Sequence, residues 1–155
     1  MMATSGIAAQ TMIGKNNITL KSDMMTPEAL WAMGRIGGAA ASPDGKQIVY
    51  QVGYYSVEQN KGHQILYVIN ADGKNNRQLT TSAKSETDAC WIDNGQKIAF
   101  LCDGQLWEMN PDGTGRKQLT KSAIDIEGYK FSPDGKQVIL IKSIPYHGSI
   151  KANPA

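Results

Sequence analysis

Two stretches of the chain carry nearly the same residues 40 positions apart. Leu66-Tyr67-Val68-Ile69-Asn70-Ala71-Asp72-Gly73, leading to Arg77-Gln78-Leu79-Thr80, returns as Leu106-Trp107-Glu108-Met109-Asn110-Pro111-Asp112-Gly113, leading to Arg116-Lys117-Gln118-Leu119-Thr120. A second signature, Ser42-Pro43-Asp44-Gly45-Lys46-Gln47-Ile48-Val49, recurs as Ser132-Pro133-Asp134-Gly135-Lys136-Gln137-Val138-Ile139, with Asp93-Asn94-Gly95-Gln96-Lys97-Ile98 as a degraded copy between them. A period near 40 with several short strands and glycine turns per unit is the signature of a β-propeller, each unit being one blade.

Length then bounds how much of a ring is present. Roughly 40 residues per blade and 4 to 8 blades per ring require on the order of 160 to 320 residues for closure. The chain has 155 residues and spends about 36 of them before the first blade. The expected fold is therefore all-β: a partial propeller of two four-stranded antiparallel blades, at about 37–80 and 85–120, plus the start of a third at about 125–155. A tail over residues 1–23 and a short helical lead-in over 24–36 precede it.

The composition is that of an ordinary globular domain, with 19% charged residues and a net charge of +2. The basic residues are scattered, so no stripe suited to nucleic acid is predicted. No stretch is long enough for a membrane span. The first ten residues are small and apolar and end near Ala8-Ala9, but they lack the basic start and long apolar run of an export signal. Two readings stand for them: the remnant of a longer export signal, or a plain N-terminal tail.

Thr26-Pro27-Glu28-Ala29-Leu30-Trp31-Ala32-Met33-Gly34 reads as a short helix: a Thr N-cap, Pro at the first position, an acid in the first turn and a Gly stop. Leu30, Trp31 and Met33 are expected to press on the propeller; the alternative is an interaction helix for a partner. First strands should end near Ala41, Trp91 and Phe131, each followed by a Pro-Asp-Gly or Asp-Asn-Gly turn. The nearly continuous apolar runs that come next, Lys46 to Val52, Lys97 to Cys102 and Gln137 to Lys142, suit strands packed on both faces. Third strands follow at Ile65 to Asn70 and Gln105 to Asn110, and Asp-Gly turns lead into fourth strands centred on the Gln-Leu-Thr triplets.

One departure breaks the repetition. Gly45 to Gly73 spans 28 positions whereas Gly95 to Gly113 spans 18, so blade one carries ten extra residues between its second and third strands. These fall within residues 51–64; blade two makes the same connection with Asp103-Gly104. The insertion is predicted to be an extended hairpin. One reading has Tyr54, Tyr55 and Glu58 project over the rim to meet a ligand or another domain, since long loops on rigid scaffolds often carry function. The other is a solvated hairpin that only packs on its neighbour.

Residues for chemistry are scarce. Asn70-Ala71-Asp72-Gly73 and Asn110-Pro111-Asp112-Gly113 lack the opening acid and closing Glu of a calcium loop and read as structural turns. His63 and His147 have no partner at metal spacing and are expected in solvated loops, so no metal and no cofactor is predicted. G-x-S-x-G occurs nowhere, and no catalytic residue is assigned. If Trp91 pairs with Ile98, Cys90 faces Ala99 and Cys102 lies roughly 10 Å along the partner strand. That is too far for a disulfide, so both are expected as buried thiols.

Together these residues resemble a family. The Pro43-Asp44-Gly45-Lys46 and Pro133-Asp134-Gly135-Lys136 turns, the Gln-Leu-Thr blade ends, the opening Thr26 to Trp31 helix with Gly34-Arg35-Ile36, and the Tyr54-Tyr55 insertion look like the start of the N-terminal propeller of a prolyl oligopeptidase-family serine peptidase. The branch is the exported dipeptidyl-peptidase or acylaminoacyl-peptidase-like one, and the likeness covers about residues 24–142. It implies a separate C-terminal α/β-hydrolase domain with a Ser-Asp-His triad, short peptides as substrates, a periplasmic or secreted location, and a gating role for this segment. A second resemblance, to the periplasmic Tol-system propeller, implies a protein-interaction scaffold instead. That family places a small α/β domain ahead of its propeller, for which 36 residues are too few.

Overall fold

The computed structural model describes residues 13 to 15, 19 and 23 to 143. The first ten residues, with their export-signal reading, His147 and the end of the partial third blade lie outside the described residues. A helix, α1 (Pro27–Ala32), leads into ten strands: β1 (Arg35–Ala41), β2 (Gln47–Ser56), β3 (Lys61–Asn70), β4 (Arg77–Gln78), β5 (Glu86–Ile92), β6 (Lys97–Cys102), β7 (Gln105–Met109), β8 (Lys117–Gln118), β9 (Gly128–Phe131) and β10 (Val138–Ile141). They form two four-stranded sheets, ordered β1-β2-β3-β4 and β5-β6-β7-β8, and a two-stranded sheet of β9 and β10. Every pairing is antiparallel. Trp91↔Ile98 and Cys90↔Ala99 stand in the register implied by the Asp-Asn-Gly turn, and both cysteines are free. Cys102 is buried and Cys90 half-buried.

The repeated motifs are repeated hydrogen-bond devices. The Ser42 hydroxyl donates to Asp44 Oδ1 at 2.6 Å and accepts the Gln47 N–H at 2.9 Å, while Asp44 Oδ1 takes the Lys46 N–H at 3.1 Å. Ser132, Asp134, Lys136 and Gln137 repeat all three distances. First the serine hydroxyl and then the lysine backbone N–H hold each aspartate below the usual carboxylate range. The Gln-Leu-Thr triplets extend the ladder by a mixed route: Leu79 N–H donates to Leu66 O and Thr80 Oγ accepts the Leu66 N–H, as Leu119 and Thr120 do for Leu106. A hydroxyl thus completes a sheet whose outermost strand has only two paired residues.

Packing between the sheets explains the apolar runs. Val49, Leu66 and Val68 of the first sheet meet Ile98, Phe100 and Met109 of the second. Ala99, Leu101 and Leu106, on the opposite face of the second sheet, meet Ile126 and the β9–β10 residues Tyr129, Phe131 and Leu140. Strand β6 is therefore buried on both sides, and each large side chain in it contributes about 1.5–3 kcal/mol. Polar struts cross the same seam: Trp91 Nε1 donates to Ala40 O at 2.9 Å and Arg77 to Pro111 O at 2.9 Å. The Arg116 guanidinium lies over both Phe100 and Trp107 and pairs with the buried Glu86. At Gly113, with φ +88°, a Cβ would stand 2.7 Å from Leu79 O, so only glycine lets the second sheet approach the first there.

Candidate functional site

In each antiparallel sheet the Pro-Asp-Gly side and the β2–β3 side are opposite ends. The ten extra residues of blade one extend β2 and β3 into one continuous ladder, Gly53↔Gln64, Tyr54↔His63, Tyr55↔Gly62 and Ser56↔Lys61. The insertion is thus a hairpin of regular strands that begins four residues earlier in β3 than the sequence suggests, at Lys61 rather than Ile65. Its tip closes with Asn60 N–H donating to Val57 O at 3.2 Å and Asn60 itself at φ +48°, a conformation that Asn tolerates. Blade two closes the same connection with Asp103 and Gly104, both at positive φ, the geometry that matches strand twist in a two-residue turn.

The three residues singled out in the hairpin part company. Tyr54 turns inward: it is buried with Val52 and Ile65, and its hydroxyl stands 3.1 Å from that of Tyr67. Burial, then the Tyr54 hydroxyl, push Tyr67 far above the usual phenol range. Tyr55 lies on the other face, half-buried, with its ring 4.9 Å from that of Trp31 and its hydroxyl donating to Asn60. Glu58 is exposed at the tip. His63, expected in a solvated loop, is instead a buried strand residue opposite Tyr54, and its Nε2 has no hydrogen-bond partner. The period-2 alternation of the added strand places it on the inner face, which the loop reading did not anticipate.

Helix α1 also departs from expectation. Thr26 Oγ accepts the Ala29 N–H at 3.2 Å as the N-cap, with Pro27 behind it. The residue that presses on the sheet is Ala29, 2% exposed, while Leu30, Trp31 and Met33 are 49, 41 and 43% exposed. A small side chain lets this short helix sit close to β2, and the large apolar ones are left outside. Gly34 continues the close approach: a Cβ there would lie 2.7 Å from Val52 and 2.8 Å from Tyr54.

Between α1 and the hairpin lies a groove of about 510 Å³, walled by Glu28 and Trp31 on one side and Tyr55, Val57 and Glu58 on the other. The Arg35 guanidinium stacks 5.0 Å over the Trp31 ring. First its own backbone N–H and then the Thr26 hydroxyl hold the Glu28 carboxyl below the usual range. Sequence reasoning found Tyr55 and Glu58 but missed the groove's helix wall, because consecutive apolar residues in a short helix looked like core. Among the described residues no group of three His, Cys, Asp or Glu side chains is placed to hold a metal. No described helix is long and apolar enough to cross a membrane.

No family model matches the chain. It is 41% identical over 130 residues to the dipeptidyl-peptidase 5 of Porphyromonas endodontalis, covering 81% of this chain and 19% of that protein. It is 39% identical over 152 residues to the dipeptidyl-peptidase 5 of Porphyromonas gingivalis, covering 94% and 22%. Its fold matches the Pyrococcus horikoshii acylaminoacyl peptidase with a TM-score of 0.63 at 12% identity, over 81% of this chain and 20% of that one. The β-propeller domain of the Pyrococcus furiosus trilobed protease matches at 0.51 and 14%, over 69% and 33%. TolB of Acinetobacter baumannii matches at 0.57 and 22%, over 72% and 27%. The chain is thus a propeller-like, mostly β unit, similar in sequence to dipeptidyl peptidases and spanning about a fifth of the length of those curated relatives.

Proposed function

We propose that this chain is the propeller segment of a longer, exported serine exopeptidase that releases short units from peptide N-termini. In this reading a C-terminal α/β-hydrolase domain performs the reaction, and the hairpin of residues 53–62 governs which peptides reach it. The observation that carries the reading is the similarity at 41 and 39% identity to two dipeptidyl peptidases about five times as long. The geometry adds a hairpin, paired to its last strand residues, that stands beyond the turn blade two makes at the same place.

Attack on an amide requires an activated nucleophile, a base and an oxyanion hole in one arrangement. Among the described residues no such set is assembled. The chain alone is accordingly expected to leave dipeptidyl and acylaminoacyl chromogenic substrates intact. In the complete protein, deleting Gly53 to Gly62 should change the peptide lengths accepted while a small fluorophosphonate probe still labels the nucleophile. Unchanged length selectivity would reject the gating role.

The match to TolB supports a second reading, a propeller that acts as a protein-interaction scaffold. Failure of the fluorophosphonate to label the complete protein would favour it.

A further inference from the structure

Strand β1 follows β2 only as far as Arg35↔Gly53, whereas β2 continues through Tyr54, Tyr55 and Ser56 with β3 as its partner. Among the described residues no strand pairs with the β1 side of β2 beyond Gly53, which leaves a free edge there, and α1 stands beside it across the groove. The direction of the backbone groups follows from the ladder. Gln64 N–H donates to Ser85 Oγ at 3.1 Å, away from β2, so the directly opposed Gly53 also points its N–H and C=O away from β3. Two residues on, Tyr55 repeats that orientation and offers its backbone pair to the groove. A strand edge whose donors and acceptors pair with no described strand is a template for one more.

The walls say what kind of strand. The two carboxylate side chains that line the groove, Glu28 and Glu58, meet no lysine or arginine among its other lining residues. Glu28 has its carboxyl held in the ionised form by its own N–H and by Thr26. Trp31 and Tyr55 supply aromatic surface next to those carboxylates, and Val57, 62% exposed, adds an aliphatic shelf. The stacking of Arg35 on Trp31 shows that this ring takes a guanidinium. A long basic side chain uses such a surface fully, with its methylenes on the aromatic rings and its charge at the carboxylates.

We infer that the groove between α1 and the free edge of β2 docks an extended segment of the peptide substrate that carries a lysine or arginine, seated as an added strand beside Tyr55. The inference rests on the proposed reading for the origin of the peptide, but its test reads binding and needs no hydrolysis. A failure here leaves the peptidase assignment standing, and loss of the peptidase assignment leaves the docking measurable.

The test titrates the 155-residue chain into three fluorescein-labelled hexapeptides, capped at both ends, and follows anisotropy. One alternates Val, Lys and Thr; the second has Glu in place of Lys; the third keeps Lys but is N-methylated at alternate amides. The Lys peptide should bind about tenfold more tightly than either of the others. Glu58→Lys and the double variant E28K/E58K change only exposed side chains, so circular dichroism should be unchanged while the preference for Lys is lost. Equal affinity for the Lys and Glu peptides, indifference to N-methylation, or no binding at all would overturn the inference. A dimer that dissociates in E28K/E58K, with no peptide selectivity, would assign the edge to a second copy and also overturn it.

Discussion

Blade one and blade two build the same connection in two ways. In blade two, Asp103 and Gly104 turn β6 into β7 in the fewest residues that a hairpin allows, and nothing stands beyond the sheet. In blade one the two strands run on for ten extra residues, stay paired to Ser56↔Lys61, and gain a helix alongside. The longer version has its own packing: its added strands bury Tyr54 and His63, and its outer edge faces a groove. An insertion stays part of the sheet when every second residue has something to pack on.

The strongest way to break this contrast is to remove the inward anchor. Tyr54→Ala opens the cluster of Val52, Ile65 and Tyr67, and should cost about 3–5 kcal/mol. Hydrogen exchange across residues 54–63 should accelerate with it, while β6 and β7 exchange slowly as before. Fast exchange in both sheets, or in neither, would show that the hairpin is not separately anchored.

A smaller effect is expected from forcing blade two off its tight turn. Gly104 sits at φ +67°, and an added Cβ would stand 2.9 Å from that of Asp125. Gly104→Ala should destabilise by about 1–2 kcal/mol, read from urea denaturation at constant slope. The corresponding tip of blade one tolerates a non-glycine residue at positive φ, since Asn60 already occupies one.

The smallest effect belongs to the outer wall of the groove. Trp31→Ala removes a half-exposed ring and its contact with Tyr55, and should lower stability by about 0.5–1.5 kcal/mol. A loss as large as that from Tyr54→Ala would mean that α1 holds the hairpin up.

Strand order, turn positions and register were legible because they rest on local chemistry that the chain repeats. Ser-Pro-Asp-Gly-Lys makes the same three hydrogen bonds wherever it occurs, and the Asp-Asn-Gly turn sets Trp91 opposite Ile98. The ten-residue excess of blade one was equally visible as a count, because the flanking glycines mark fixed points of the repeat.

What each inserted residue does was decided by packing. Adjacent tyrosines point to opposite faces of a strand, so one of Tyr54 and Tyr55 had to be inward, but which one depended on pairing with His63 and on Gly34 lying over Val52 and Tyr54. Leu30, Trp31 and Met33 stayed outside because Ala29 took the contact with the sheet. Glu86 and Arg116 meet across thirty positions of sequence, on the faces of Phe100 and Trp107, which the pairing of β6 with β7 sets opposite each other. Local hydrogen bonding therefore determined the repeating frame from sequence alone, whereas the burial of His63, the aromatic–acidic groove and the free edge of β2 arise from contacts between elements, which only the tertiary structure decides.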